Sequence, residues 1–213
     1  MIKAILWDND GLLVDTERVY FEANRQALLR AGIQLSQEQF ADVSLRQGLS
    51  LLDLARERGW SSEQIAALRE ERDAHYLDLL RQGMHVFPEV EKTLKALHGK
   101  VRMAIVTSSQ RVHFEAIHDK SKLLPYFEFV LTREDFEHGK PAPDGYLEGL
   151  RRLALSAADC IAIEDSERGL LSATAAGLRC AIIPNTQTAH SDFSRAWVVL
   201  PDVSQVIGLV RQG

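Results

Sequence analysis

Hydrophobic and polar positions alternate between two periods along this chain. From residue 101 onward, short apolar runs are separated by longer segments of helical spacing. The runs occupy residues 101–106, 127–131, 160–163 and 180–183, and 197–200 is a last candidate. Their length and β-branched content predict buried parallel strands. An earlier run at residues 2–7 predicts the first strand. Between the later runs, 143–155 reads as a helix with Pro143 in its first turn and Tyr146, Leu147, Leu150 and Leu153 on one side. Residues 166–176 read as another, with Ser166 as N-cap and Gly177 just past the end. Such alternation predicts an α/β fold, a Rossmann-like parallel sheet with helices on both faces.

Residues 16–83 break the pattern and hold no convincing strand. Tyr20, Ala23, Ala27 and Ala31 recur at helical spacing until Gly32 stops them. Residues 49–58 and 61–80 read as further helices separated by Gly59, and 88–98 as a helix that returns the chain to the sheet. The expected division is a core of residues 1–15 and 84–213 and an inserted helical domain at 16–83. An insertion after the first strand sits above the carboxyl edge of the sheet, as a water-excluding lid or as a helical decoration.

The chain has 213 residues, 46% hydrophobic and 26% charged, with a net charge of −5. A chain of this size buries roughly 70% of its unfolded surface and needs no staple. The acidic balance argues against a nucleic acid polymer or an anionic membrane as partner. Cys160 and Cys180 lie in apolar runs, as reduced thiols of a cytoplasmic protein do. No apolar stretch is long enough to span a bilayer, and the N-terminus lacks the pattern of a signal peptide. A monomer is expected.

The candidate chemistry gathers at strand ends. Asp8-Asn9-Asp10-Gly11 follows the first run. Two close carboxylates repel unless a cation or a shared proton compensates, and Mg²⁺ favours one or two carboxylates with waters and phosphate oxygens. Thr107-Ser108-Ser109 follows the second run and reads as a phosphate cradle or as a helix cap. Lys140-Pro141-Ala142-Pro143 presents a lysine on a stiff segment, a fixed charge for phosphate oxygens or a surface lysine. Glu164-Asp165-Ser166 ends a further run. If the strands are parallel neighbours, four carboxylates share one edge, and Mg²⁺ with Lys140 resolves the conflict.

These four stations, in this order, resemble the haloacid dehalogenase (HAD) superfamily, in the branch with a helical cap that holds β-phosphoglucomutase and sugar-phosphate phosphatases. Asp15-Thr16-Glu17 and the run Glu164-Asp165-Ser166-x-x-Gly169 with Ala173 and Ala175-Ala176-Gly177 extend the likeness over the whole chain. The resemblance implies Asp8 as nucleophile, forming an aspartyl-phosphate, and Asp10 as general acid and then base. It implies Mg²⁺ held by Asp8, the backbone carbonyl of Asp10 and Asp165, with Glu164 binding indirectly or from the outer shell. Thr107, Ser108 and Lys140 would hold the phosphoryl group. The implied activity is hydrolysis of a small phosphorylated metabolite, a sugar phosphate or a nucleoside monophosphate.

Leu12 and Trp7 depart from the family's usual residues only in hydrophobic shape. β-Phosphoglucomutase carries a histidine where this chain has Tyr20, and an arginine where Gly48-Leu49-Ser50 is followed by Leu51. Net hydrolysis is therefore expected over phosphomutase activity, with a non-catalytic phosphate-binding regulator as a further alternative. Substrate choice is expected to lie in the insertion, where Arg46, Gln47, Arg72, His75 and Tyr76 are polar residues that read as facing the site or as plain surface. The seven histidines have no metal-ligand spacing and read as surface or partly packed, and Tyr20 and Trp60 read as core or substrate contacts.

Overall fold

Six parallel strands form one sheet in the order β3-β2-β1-β4-β5-β6. This computed structural model describes residues 1–212. The strands are β1 (Ala4–Trp7), β2 (Arg102–Val106), β3 (Val130–Leu131), β4 (Cys160–Glu164), β5 (Arg179–Ile182) and β6 (Val198–Val199). Strand residues point alternately to the two faces, and the core divides accordingly. Ile5, Trp7, Met103, Ile105, Ile161 and Ile163 pack on one face. Ala4, Leu6, Ala104, Val106, Ala162 and Cys180 pack on the other. Helices α5 (Val90–Leu97), α6 (Arg111–His118) and α9 (Val206–Gln212) send apolar residues to the first face, and α7 (Asp144–Leu153) and α8 (Glu167–Ala175) to the second. The predicted Rossmann-like architecture is the one observed.

Between β1 and β2 lie α1 (Glu17–Arg30), a single turn α2 (Gln37–Gln39), a π-helical segment Phe40–Arg46, α3 (Asp53–Glu57) and α4 (Ser62–Arg81). They enclose a separate cluster that includes Leu28, Phe40, Leu51, Leu52 and Leu68. A smaller cluster of Val14, Ala23, Tyr76, Leu80 and Ile117 joins these helices to α6. Serines cap α2 and α4: Ser36 and Ser61 each accept from the backbone N–H three residues on, and the glutamine there bonds back.

Two expectations are corrected. Residues 49–58 are helical only over Asp53–Glu57. Leu51 and Leu52 are buried from a turn after Gly48, whose φ is +67°. Burial thus continued the apolar pattern without a helix beneath it. The run at 127–131 forms a ladder only at Val130–Leu131, although Glu128 N–H donates to Met103 O at 2.8 Å and Ile105 N–H to Phe129 O at 3.1 Å. Both cysteines are buried and free. Among the described residues, no helix is long and apolar enough to cross a membrane.

Candidate active site

Strand register brings the distant carboxylates together. Trp7 lies beside Ile163 on one side and Ile105 on the other. The next residues along these three strands are Asp8, Glu164 and Val106, so they emerge side by side at the carboxyl edge. The strand order reverses between β1 and β4, where open α/β sheets leave a ligand crevice. Asp8 N–H donates to Ile163 O at 2.9 Å and fixes that edge.

Lys140 reaches this edge from the loop before α7. Its Nζ donates to Asp8 Oδ1 at 2.5 Å and to Val106 O at 2.9 Å, and lies 2.6 Å from Glu164 Oε1. Burial pushes the ammonium down, but Asp8 and Glu164 outweigh it and hold Lys140 above the ordinary lysine value. Tyr146 O–H, from α7, donates to the same Glu164 oxygen at 2.5 Å. Gly169 stands against that carboxylate so closely that any Cβ would overlap it. Asp165 follows on the same strand end, and its Oδ2 accepts from Asn185 Nδ2 at 2.8 Å. The Gly11 turn, with φ +73°, passes against Asp165, where a side chain would be both strained and overlapping.

Asp8, Glu164 and Asp165 each offer an oxygen within 4.8 Å of the others. Burial raises Asp8 well above the usual carboxylate range, with Glu164 and Asp10 adding to it against Lys140. Burial likewise raises Asp165, reinforced by Glu17, Asp8 and Glu164. Such a set of hard oxygens, bearing more negative charge than one lysine neutralises, fits a divalent cation.

Asp10 stands apart from that trio. Its Oδ1 accepts from Thr16 Oγ1 at 2.8 Å, and its Oδ2 from Thr107 Oγ1 at 2.8 Å and Ser109 Oγ at 2.9 Å. The capping reading of Ser108 and Ser109 is corrected, because Gln110 is the N-cap of α6. Ser108 Oγ is shielded from solvent and has no protein partner, as a hydroxyl kept for a ligand would be.

These residues line a cavity of about 370 Å³ between the sheet edge and the inserted helices. Residues 5–183 match the family of haloacid dehalogenase-like hydrolases. The chain belongs to this family. It is 33% identical over 215 residues to protein CbbY of Rhodobacter capsulatus, across 95% of this chain and 94% of the relative. It is 27% identical over 174 residues to the fructose-1-phosphate phosphatase YqaB of Escherichia coli, across 82% and 92%. The crystal structure of CbbY from Rhodobacter sphaeroides in complex with xylulose-(1,5)bisphosphate has the same fold, with a TM-score of 0.80 at 23% identity over 96% of each chain. Hydrolysis of phosphoric monoesters, the enzyme class expected from the sequence, is the class of the phosphatases among these relatives.

In this haloacid dehalogenase-like hydrolase, Asp8, Asp10, Thr107, Ser108, Lys140 and Asp165 all line the one cavity, with Glu164 directly behind Lys140. Of the expected insertion residues, Arg72 and Tyr76 line it. Arg46 and Gln47 instead turn to Asp42, and His75 lies outside the lining. Tyr20 lines the cavity, whereas Trp60 packs against the insertion's own core. His118 is a correction: it is buried, with Nε2 donating to Asn9 Oδ1 at 2.8 Å and Nδ1 2.6 Å from Ser121 Oγ. Sequence reasoning did not single out Tyr146, Arg168 or Asn185 as site residues. Only Arg168 carried a signal, as a cation two residues after Ser166 in a strand-end motif.

Proposed function

We propose that this protein is a Mg²⁺-dependent phosphatase of a small phosphomonoester, a sugar phosphate or a nucleoside monophosphate, acting through an aspartyl-phosphate. The observation that carries the reading is the buried Asp8–Lys140–Glu164 chain beside Asp165. In it, Asp8 attacks phosphorus and Asp10 gives a proton to the departing alcohol oxygen. Asp10 then takes a proton from the water that cleaves the acyl phosphate. Thr16, Thr107 and Ser109 fix the Asp10 carboxyl group for both transfers. Lys140 holds Asp8 in line and neutralises phosphoryl oxygens, while Glu164 and Tyr146 hold Lys140. Ser108 Oγ and the backbone N–H groups of Asn9 and Asp10 are the remaining donors for the phosphoryl group.

Asp8, Asp165 and the backbone carbonyl of Asp10 would hold Mg²⁺, with Glu164 serving from behind. When bound, the ion screens the repulsion between an anionic nucleophile and the phosphoryl group. The inserted helices act as a cap that excludes water from the acyl phosphate. Leu51 is buried inside the cap and supplies no charge for a mutase bisphosphate, which supports net hydrolysis. Phosphate release from p-nitrophenyl phosphate is expected with Mg²⁺ and should vanish in EDTA. Undiminished turnover in EDTA would remove the cation, and inactivity across a panel of phosphomonoesters would remove the reading.

A further inference from the structure

Four cationic side chains line the cavity: Arg69 and Arg72 from α4, Lys140, and Arg168 from α8. Two have their charge answered within the protein. Lys140 is paired with Asp8 and Glu164. Arg72 donates to Asp73, to Tyr20 O–H at 2.7 Å and to Asn24 Oδ1 at 3.0 Å. The other two have no carboxylate partner among the described residues.

Arg168 is the more unusual. Its Nη2 donates to the carbonyl oxygen of Lys140, while its Nε is shielded from solvent and bonds nothing. It occupies the first turn of α8, where the helix dipole opposes a cation. Its guanidinium lies under the cap loop at Gly48, where a Cβ would come within 2.5–2.8 Å of it. A half-buried guanidinium that feels Asp8 and Glu164 only from a distance, with no carboxylate in bonding reach and a shielded Nε left unbonded, keeps hydrogen-bonding capacity for an anion. An anion delivered by the ligand takes up that capacity. Arg69 faces the same cavity from the cap, one helical turn before Arg72.

We infer that Arg168, with Arg69 opposite, forms a second anion subsite spanning core and cap, so that the substrate is a phosphomonoester whose leaving alcohol carries a further anionic group. The inference rests on the phosphatase reading above and narrows it. It also puts the main specificity cation on the core, two residues after Ser166, and not in the cap. A doubly anionic substrate would bridge the two bodies across Gly48 and draw the cap down over the phosphoryl group.

The test compares kcat/KM, in Mg²⁺, for esters paired by leaving group. Glycerol 3-phosphate is set against 3-phosphoglycerate, whose added anion is a carboxylate. Fructose 6-phosphate is set against fructose 1,6-bisphosphate, whose added anion is a phosphate. At least one doubly anionic member should exceed its partner by about 10-fold or more, and the winning pair tells carboxylate from phosphate. Arg168→Gln should reduce that preference by about 10- to 100-fold, the usual worth of a charged hydrogen bond. Arg69→Gln should reduce it less, and Arg168→Lys should restore part of it. In the unaltered enzyme, glycerate should compete with p-nitrophenyl phosphate at concentrations where glycerol does not, if the carboxylate pair wins. Inorganic phosphate release without preference for either doubly anionic ester, or a preference that survives Arg168→Gln, would overturn the subsite. Failure to hydrolyse any ester, p-nitrophenyl phosphate included, would instead overturn the phosphatase reading.

Discussion

The floor and the roof of the cavity are built in different ways. The floor is a row of strand ends, and backbone register sets where each side chain stands: Asp8 follows Trp7, and Glu164 follows Ile163 beside it. The roof is a set of helices with its own apolar cluster, tied to the sheet by a small contact around Val14, Tyr76 and Ile117. Floor charges answer one another within the protein, through Lys140, Asp8, Glu164 and Tyr146. At the rim where roof meets floor, Arg69 and Arg168 have no carboxylate partner among the described residues. A rigid floor, held by Lys140 and short of one cation, suits chemistry common to a family, and a less tightly coupled roof suits choice among substrates.

Lys140→Ala should break the floor most. It leaves Asp8 and Glu164 buried without their cation, a change that costs about 3–5 kcal/mol, and catalysis should fall with it. Urea unfolding and phosphate release measure the two losses. A variant of wild-type stability would mean that solvent or a bound cation already compensates those carboxylates.

His118 sharpens the comparison from beneath the floor. Burial lowers it from 6.5 to about 4, against a weak opposing pull from Asp10. The unfolded chain takes up the proton near pH 6.5 and the folded protein only near pH 4. The stability tied to neutral His118 is therefore whole above pH 6.5 and drains away as pH falls toward 4, by up to about 3 kcal/mol. His118→Gln should be less pH-dependent than wild type across that window. Parallel profiles would mean that His118 titrates alike in both states.

The roof should respond more mildly. Ser61→Ala removes a capping box at the start of α4 and should cost about 1 kcal/mol. Phosphate release from p-nitrophenyl phosphate below the melting transition should be unchanged. A matching loss of kcat would show that α4 and the floor are coupled more tightly than their contacts indicate.

The same contrast explains what the chain revealed before its structure. Strand-end acids were legible because an apolar run ending in Asp or Glu has few uses in a parallel sheet, and Lys140 because prolines stiffen its approach. Tyr146 was not, because an aromatic at helical spacing reads as core and only its hydroxyl betrays the bond to Glu164. Thr16 and Ser109 were quoted in their motifs, but nothing local says that both turn to Asp10. In the roof, Leu51 and Leu52 kept an apolar pattern through a turn, and polar residues such as Arg46 and His75 could not be assigned a direction. Helical insertions set direction through tertiary packing, which spacing alone does not encode.

Rapid-quench turnover with ³²P-labelled p-nitrophenyl phosphate and Mg²⁺, in wild type and in Asp8→Asn, tests the central claim most directly. The wild-type protein should carry transient, base-labile label that maps to Asp8. The folded variant should carry none and release phosphate at least about 10⁴-fold more slowly, as for loss of an essential nucleophile. Brisk turnover by Asp8→Asn, or label mapping to another residue, would contradict it.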